Sequence, residues 1–324
     1  MNARLSRKDF LKALAALYVA ALQINLLTGC AAKQEAFDIK GQIPPQRKPV
    51  DGQDKRRFAD LAVAEGGSPG ENTEKAIAAL GGMARFVRKG DRVVVKPNIL
   101  SAREPQYAIT TNPDVIGAIV ALCVEAGAGD VLVIDSPTTG VDEAYRVTGI
   151  GAAAERSGGR VRVLNDNDFT DVAIPDGKAL KRWPISRDVL GADVLINVPI
   201  AKHHSLTGVT LGMKNLMGII GGNRGQLHWD IDQKLADLST LIKPQLTVLD
   251  ANRVLVRNGP SGGSLDDVEE RKIVVAGVDR VLVDTYGASL FGLGPDDIGH
   301  IAIAIKMGLG SHDLEKSDII RVAL

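Results

Sequence analysis

Cysteine is scarce, with two residues in 324. Two thiols cannot build a disulfide framework, a four-cysteine zinc site or an iron–sulfur cluster held by cysteine alone. Aromatic side chains make up 4% of the chain, too few for the stacking platforms that hold single-stranded nucleic acid. Neither sign of charge is in excess, with 39 basic and 39 acidic side chains. A chain without a basic surplus is not built to follow a phosphate backbone, so no nucleic-acid partner is expected. What remains is a globular composition, 45% hydrophobic with 35 glycines, long enough for one large α/β domain or two modest ones.

The N-terminus reads as an address. Arg4, Arg7, Lys8 and Lys12 precede an apolar run over 11–27 that Gln23 and Asn25 interrupt, a poor permanent span. The run closes on Leu27-Thr28-Gly29-Cys30, which resembles a bacterial lipobox with Cys30 as the lipidated residue. Ser6-Arg7-Lys8-Asp9-Phe10-Leu11-Lys12 resembles a twin-arginine export signal with lysine in place of the second arginine, which leaves the export route open. These features predict an export signal over 1–29, a tether over 30–57 and a folded domain over 58–324. They place the protein outside the cytoplasm, held by lipid to the periplasmic side of the cell envelope. Cys123, within Ile119-Val120-Ala121-Leu122-Cys123-Val124, is expected to be a buried small hydrophobe.

From residue 58 onward strand and helix patterns alternate. Apolar runs predict strands at 61–64, 92–95, 131–134, 161–164, 194–198, 246–249, 272–276 and 319–322. Helical spacing predicts helices over 72–88, 113–126, 143–157, 280–290 and 296–307. Asn112 and Asp279 are candidate N-caps. β-branched runs separated by helices define an α/β fold, a largely parallel sheet with helices on both faces. Residues 165–190 read as a hairpin or loop.

In open parallel sheets ligands bind beyond the carboxyl ends of the strands. Four predicted strands run into polar residues: Lys96-Pro97-Asn98, Asp135-Ser136-Pro137, Lys202-His203-His204 and Asp250-Ala251-Asn252. Lys96, Asp135, Lys202 and Asp250 would then share one rim. Downstream, a helix over 205–217 would align Thr207, Thr210 and Lys214 on one stripe, beside Asn215. That stripe has no acidic residue, an odd composition for a face turned to water. His203, His204 and His228 are candidate metal ligands, although adjacent histidines followed by one 24 residues later match no standard zinc spacing. His204 also suits acid–base work. Asn258-Gly259-Pro260-Ser261-Gly262 forms a glycine-rich loop whose backbone N–H groups could face an anion.

Taken together, these motifs resemble the domain of unknown function 362 family. The matching residues are Val94-Val95-Lys96-Pro97-Asn98, Lys202-His203-His204, Thr207-Gly208-Val209-Thr210, Lys214-Asn215-Leu216-Met217-Gly218, the 258–262 loop and the Asp279 to Asp284 stretch. The family includes uncharacterised iron–sulfur proteins. This sequence departs from it in having His203 where threonine is common, and in lacking the cysteine-rich ferredoxin-like insertion of many members. No cysteine-ligated cluster is therefore expected. The family name supplies no reaction, so whether the chain is an enzyme stays open.

The residues point to an anionic small molecule as the ligand. Lys96, Lys202 and Lys214 would neutralise it, Asn98 and Asn215 would orient it, and His204, Asp250 and Lys202 would supply catalytic groups. Two other readings stand beside this one: a non-catalytic subunit or binding partner of an envelope redox or assembly complex, and a protein that carries a metal or organic cofactor loaded before export.

Overall fold

In the computed structural model the described residues are 58–324. The export signal, Cys30 and the tether to residue 57 lie outside them. Twelve strands and nine α-helices are found among the described residues: β1 (Leu61–Glu65), α1 (Pro69–Ala79), β2 (Arg92–Pro97), α2 (Pro113–Glu125), β3 (Asp130–Val133), α3 (Val141–Val147), α4 (Ile150–Arg156), β4 (Arg160–Val161), β5 (Phe169–Ala173), β6 (Arg182–Ser186), α5 (Arg187–Leu190), β7 (Val194–Val198), β8 (Ile200–His204), β9 (Gly208–Thr210), α6 (Gly212–Asn215), α7 (Ile231–Leu241), β10 (Leu246–Leu255), β11 (Val268–Gly277), α8 (Arg280–Ser289), α9 (Gly299–Lys306) and β12 (Ile319–Ala323).

Ten of these strands form one sheet, whose main path runs β12-β1-β11-β10-β7-β2-β3-β4. Its pairings are parallel except where β11 joins β1 and β10, and where β8 folds back on β9. Side chains alternate across the sheet with period two. Val93, Val95, Val131 and Val133 pack on one face against Ile77 of α1 and Ile116 and Ile119 of α2. Val94, Leu132 and Leu195 pack on the other with Leu238 of α7, while Leu249 and Val275 meet Val281 of α8 and Ile301 of α9. Burial on both faces is why these strands read as unbroken apolar runs. Cys123 is buried in the first of these layers, and burial pushes its thiol up to about 12. Strands β5 and β6 make the separate hairpin within 165–190.

Several boundaries differ from the expected ones. Helix α1 starts at Pro69, where Ser68 and Glu71 form a capping box, and stops before Gly81 and Gly82, whose positive φ angles no helix accommodates. The helix expected over 143–157 is two helices, parted at Gly149 with φ of 72°. Strand 161–164 shrinks to Arg160–Val161. The helix expected over 205–217 does not form. Instead β8 and β9 make an antiparallel hairpin that pairs Lys202 with Thr210 and His204 with Gly208, followed by the single turn of α6. Strand β10 runs through Asp250 to Leu255, so Asp250 lies inside the strand and not at its end.

Candidate functional site

Where β2, β3 and β8 end, their side chains converge with those of α6 on a cavity of about 480 Å³. Pro199 separates β7 from β8 and lets the chain continue as a second short strand that carries Lys202 and His204. The turn of α6 is held from below. Asp284, fully buried on α8, accepts hydrogen bonds from the Gly212 amide at 2.6 Å and the Met213 amide at 2.9 Å. Burial pushes the Asp284 carboxyl up to about 6 against the pull of these two amides. A Cβ on Gly212 would lie 2.7 Å from the Asp284 carboxylate, so glycine is needed for the close approach.

Lys96 is 1% exposed. Its ammonium forms an ion pair with Asp135 at 2.9 Å and donates to the Asn215 Oδ1 at 2.9 Å and to the Pro97 carbonyl. A lysine ammonium has three donors, and these three acceptors use them all. Burial pushes Lys96 down, and Asp135 opposes that shift. The other Asp135 oxygen accepts from the Ile99 amide. Gly218 closes over the pair: a Cβ there would fall 1.8 Å from the Asp135 carboxylate.

Lys202, equally buried, has different surroundings. Its Nζ donates to the Ile109 carbonyl at 2.6 Å and to the Asn98 Oδ1 at 3.1 Å, and no carboxylate pairs with it among the described residues. Burial, then repulsion from Lys214 and Lys96, push its amine down to about 7, with Asp135 acting the other way. Lys214 has its Nζ 3.7 Å from the Met217 thioether and no ion pair among the described residues. Burial pushes it down to about 8 against the attraction of Asp232. Two amides link the lysines. Asn98 Nδ2 donates to Asn215 Oδ1 at 2.9 Å, and Asn215 Nδ2 donates to Asn197 Oδ1 at 2.9 Å. A continuous chain therefore runs from Lys202 through Asn98 and Asn215 to Lys96 and Asp135.

The histidines divide by their ring hydrogen bonds. His204 lines the cavity, and its Nδ1 accepts from the Leu206 amide at 3.1 Å. The neutral ring therefore carries its proton on Nε2. Burial and the Lys214 and Lys202 charges push its pKa down to about 3, so it stays neutral and acts as a hydrogen-bond donor. His203 Nδ1 likewise accepts from the Gly259 amide at 3.1 Å, outside the cavity lining. His228 is opposite: its Nδ1 donates to the Gly225 carbonyl at 3.2 Å, and the residue lines the cavity. The structure does not bring the three candidate ligands together. Among the described residues no group of three His, Cys, Asp or Glu side chains is placed to hold a metal ion.

Of the other residues singled out from the sequence, Lys96, Asn98, Asp135, Thr210, Lys214 and Asn215 line the cavity, and so does Ser261. Asp250 does not. It is buried within β10, accepts from the Asn112 amide at 2.7 Å and the Asn252 amide at 3.0 Å, and so anchors the start of α2. Thr207 bonds the Val209 carbonyl within the hairpin and stays outside. Asn258 and Gly262 shape the loop. Asn258 has φ of 56° and holds Asp267 at 3.0 Å, while Gly262 packs near Ile109 and Leu255. Arg103, stacked on Tyr107, ties this loop down through the carbonyls of Ser261 and Gly263. Sequence reasoning missed Arg224, which lines the cavity and donates to the Ser136 carbonyl at 2.8 Å. It also missed Asn197, which supports the site from beneath by donating to the Gly212 carbonyl, and it gave Asp284 no role beyond its place in the 279–284 stretch. Arg224 stands between Asn223 and Gly225, shortly before the candidate ligand His228, the one signal that could have found it.

Against known proteins, the model of the family described as "Domain of unknown function (DUF362)" matches residues 93–289, from β2 through α8. A thylakoid-associated protein of Synechocystis sp. is 29% identical over 260 residues, covering 76% of this chain and 77% of that protein. Among solved structures, a Thermotoga maritima protein matches with a TM-score of 0.41 and 14% identity, over 74% of this chain and 60% of its own. The lactate racemase apoprotein of Thermoanaerobacterium thermosaccharolyticum matches with a TM-score of 0.42 and 14% identity, over 72% and 57%. The chain thus spans less than two thirds of each of these solved proteins.

Proposed function

The chain belongs to the DUF362 family, and from that premise we propose that its cavity binds, and serves to transform, a small anionic molecule. The observation that carries this reading is the charge count inside the cavity wall. Asp135 is consumed by Lys96, while Lys202 and Lys214 are buried and make no ion pair among the described residues, Asp232 acting on Lys214 only from a distance, and Arg224 adds a further cation. A buried ammonium without a counter-ion is costly, and a bound anion removes that cost. His204, a neutral Nε2–H donor, and the Asn98 amide would orient the ligand. The test is calorimetric titration of the folded domain with inorganic phosphate and with small mono- and dicarboxylates near neutral pH. Saturable binding is expected, weakened roughly 10- to 100-fold in Lys214→Ala, the size of a hydrogen bond to a charged group. No binding by any of these anions to the folded protein would remove the reading.

We further propose that the domain sits at a membrane surface, tethered through Cys30 in the cell envelope; the lipobox-like Leu27-Thr28-Gly29-Cys30 supports this reading. A relative named for its association with thylakoids is consistent with such a setting. Metabolic labelling with a fatty acid tests this, since a Cys30→Ser variant should lose both the label and the membrane fraction. A second reading, a non-catalytic partner in an envelope complex, is favoured by Trp229 and Leu206, which are 79% and 53% exposed. Co-purification of a stoichiometric protein with an empty cavity would support it.

A further inference from the structure

We propose that Lys202 is a nucleophile, and that the anion taken up by the cavity is a small aldehyde or ketone carrying a carboxylate or phosphate, which condenses with the Lys202 amine to form an imine. This inference rests on the anion-binding reading above and gives its ligand a chemical class.

Hydrogen-bond geometry singles out Lys202. A neutral lysine amine has two N–H donors and one lone pair. The Ile109 carbonyl and the Asn98 Oδ1 take the two donors of Lys202. Tetrahedral nitrogen then has one direction left, and Lys202 is part of the cavity wall, so its lone pair is the group free to meet a ligand. Lys96 is not placed to serve, because Asp135, the Pro97 carbonyl and Asn215 Oδ1 already occupy all three directions around its nitrogen. Lys202 is instead surrounded by cations, with Lys96 and Lys214 repelling a proton on it and Asp135 alone attracting one. Burial beside a second cation is a known way of activating a lysine toward carbonyl carbon. Lys214 and Arg224 line the same cavity and are placed to hold the anionic end of the ligand. His204 donates Nε2–H, suited to the carbonyl oxygen as negative charge builds on it.

The step balances without a further reactant. The nitrogen lone pair forms the C–N bond while the carbonyl π pair moves to oxygen. One amine proton passes to that oxygen, giving a carbinolamine. The C–O bond then breaks, the second amine proton leaves with the hydroxyl as water, and the C=N bond forms. Reversal by water restores both partners.

The experiment is reductive trapping on the wild-type protein. Pyruvate and sodium cyanoborohydride are added near neutral pH, and the modified lysines are mapped by peptide mass spectrometry. Acetone serves as an uncharged ketone, and inorganic phosphate as a competitor. The expected result is a pyruvate adduct on Lys202 at roughly tenfold the level of any other lysine, since an amine with a depressed pKa holds more of its neutral form. Phosphate should suppress it, acetone should fail to give it, and a folded Lys202→Met variant should lose it. Adducts spread over exposed lysines with Lys202 unmodified would overturn the inference. If phosphate still binds in that case, the anion site stands and only the nucleophile is wrong. If phosphate also fails to bind, both fall.

Discussion

At the scale of single residues, Lys96 and Lys202 share burial and a neighbourhood, yet they differ in where their protons go. Replacing Asp135 by Asn leaves the Lys96 ammonium buried without its counter-charge. The expected loss is about 3–5 kcal/mol, measured by urea unfolding. Gly218→Ala tests the same pair from above and should also destabilise, because its Cβ would enter the space of the Asp135 carboxylate. Lys202 and Lys214 make a different prediction. Their folded pKa values, about 7 and about 8, lie below the ordinary lysine value of 10.5. Over that interval the unfolded chain binds more protons than the folded one, so stability rises with pH. The urea midpoint should therefore climb from about pH 7 to about pH 9, and Lys202→Met should flatten part of the climb. A midpoint that falls over this range would contradict the placement of these amines. Phosphate affinity should move the other way, since the protonated amines are the ones that hold an anion.

At the scale of elements, the short turn of α6 stands on one carboxylate. Asp284→Ala removes both acceptors from the Gly212 and Met213 amides and should cost about 2–3 kcal/mol. The more telling readout is phosphate binding, which should weaken even in Asp284→Asn, where one acceptor oxygen remains. What the sequence makes legible follows from the same elements. Strands β2 and β3 are readable because both their faces are buried, and Lys96, Asn98 and Asp135 are readable because they follow such runs. The 205–217 segment is not. Leu206, Val209, Met213 and Leu216 have helical spacing, but Gly208 with φ of 74° and pairing of β9 onto β8 make a hairpin there. Local periodicity cannot report a partner strand. Thr210, Lys214 and Asn215 still reach the cavity, through a hairpin and a turn instead of a helix face. Asp250 misleads for the converse reason. It interrupts an apolar run as a strand end would, yet the run resumes at Ala251 and the carboxylate turns to the amides of Asn112 and Asn252. Asn197 and Asp284 act through other residues, so although the 279–284 stretch is recognisable, the spacing around either residue does not reveal its contact with α6.

At the scale of the molecule, the sheet places its least local pairing at the beginning. Strand β1 lies between β11 and β12, with Leu61 paired to Gly277 on one side and to Ile319 on the other. Its edges therefore have no neighbours until residues 268–323 have been synthesised. A chain emerging from the ribosome carries an unpaired apolar strand, Leu61–Glu65, for nearly the whole of its synthesis. Pairings so distant in sequence are slow to find, and exposed strand edges invite other chains. The domain thus completes its sheet as a late event of biosynthesis. Ribosome-bound intermediates stalled before residue 268 should need a chaperone to stay soluble, while those that have released residue 323 should not.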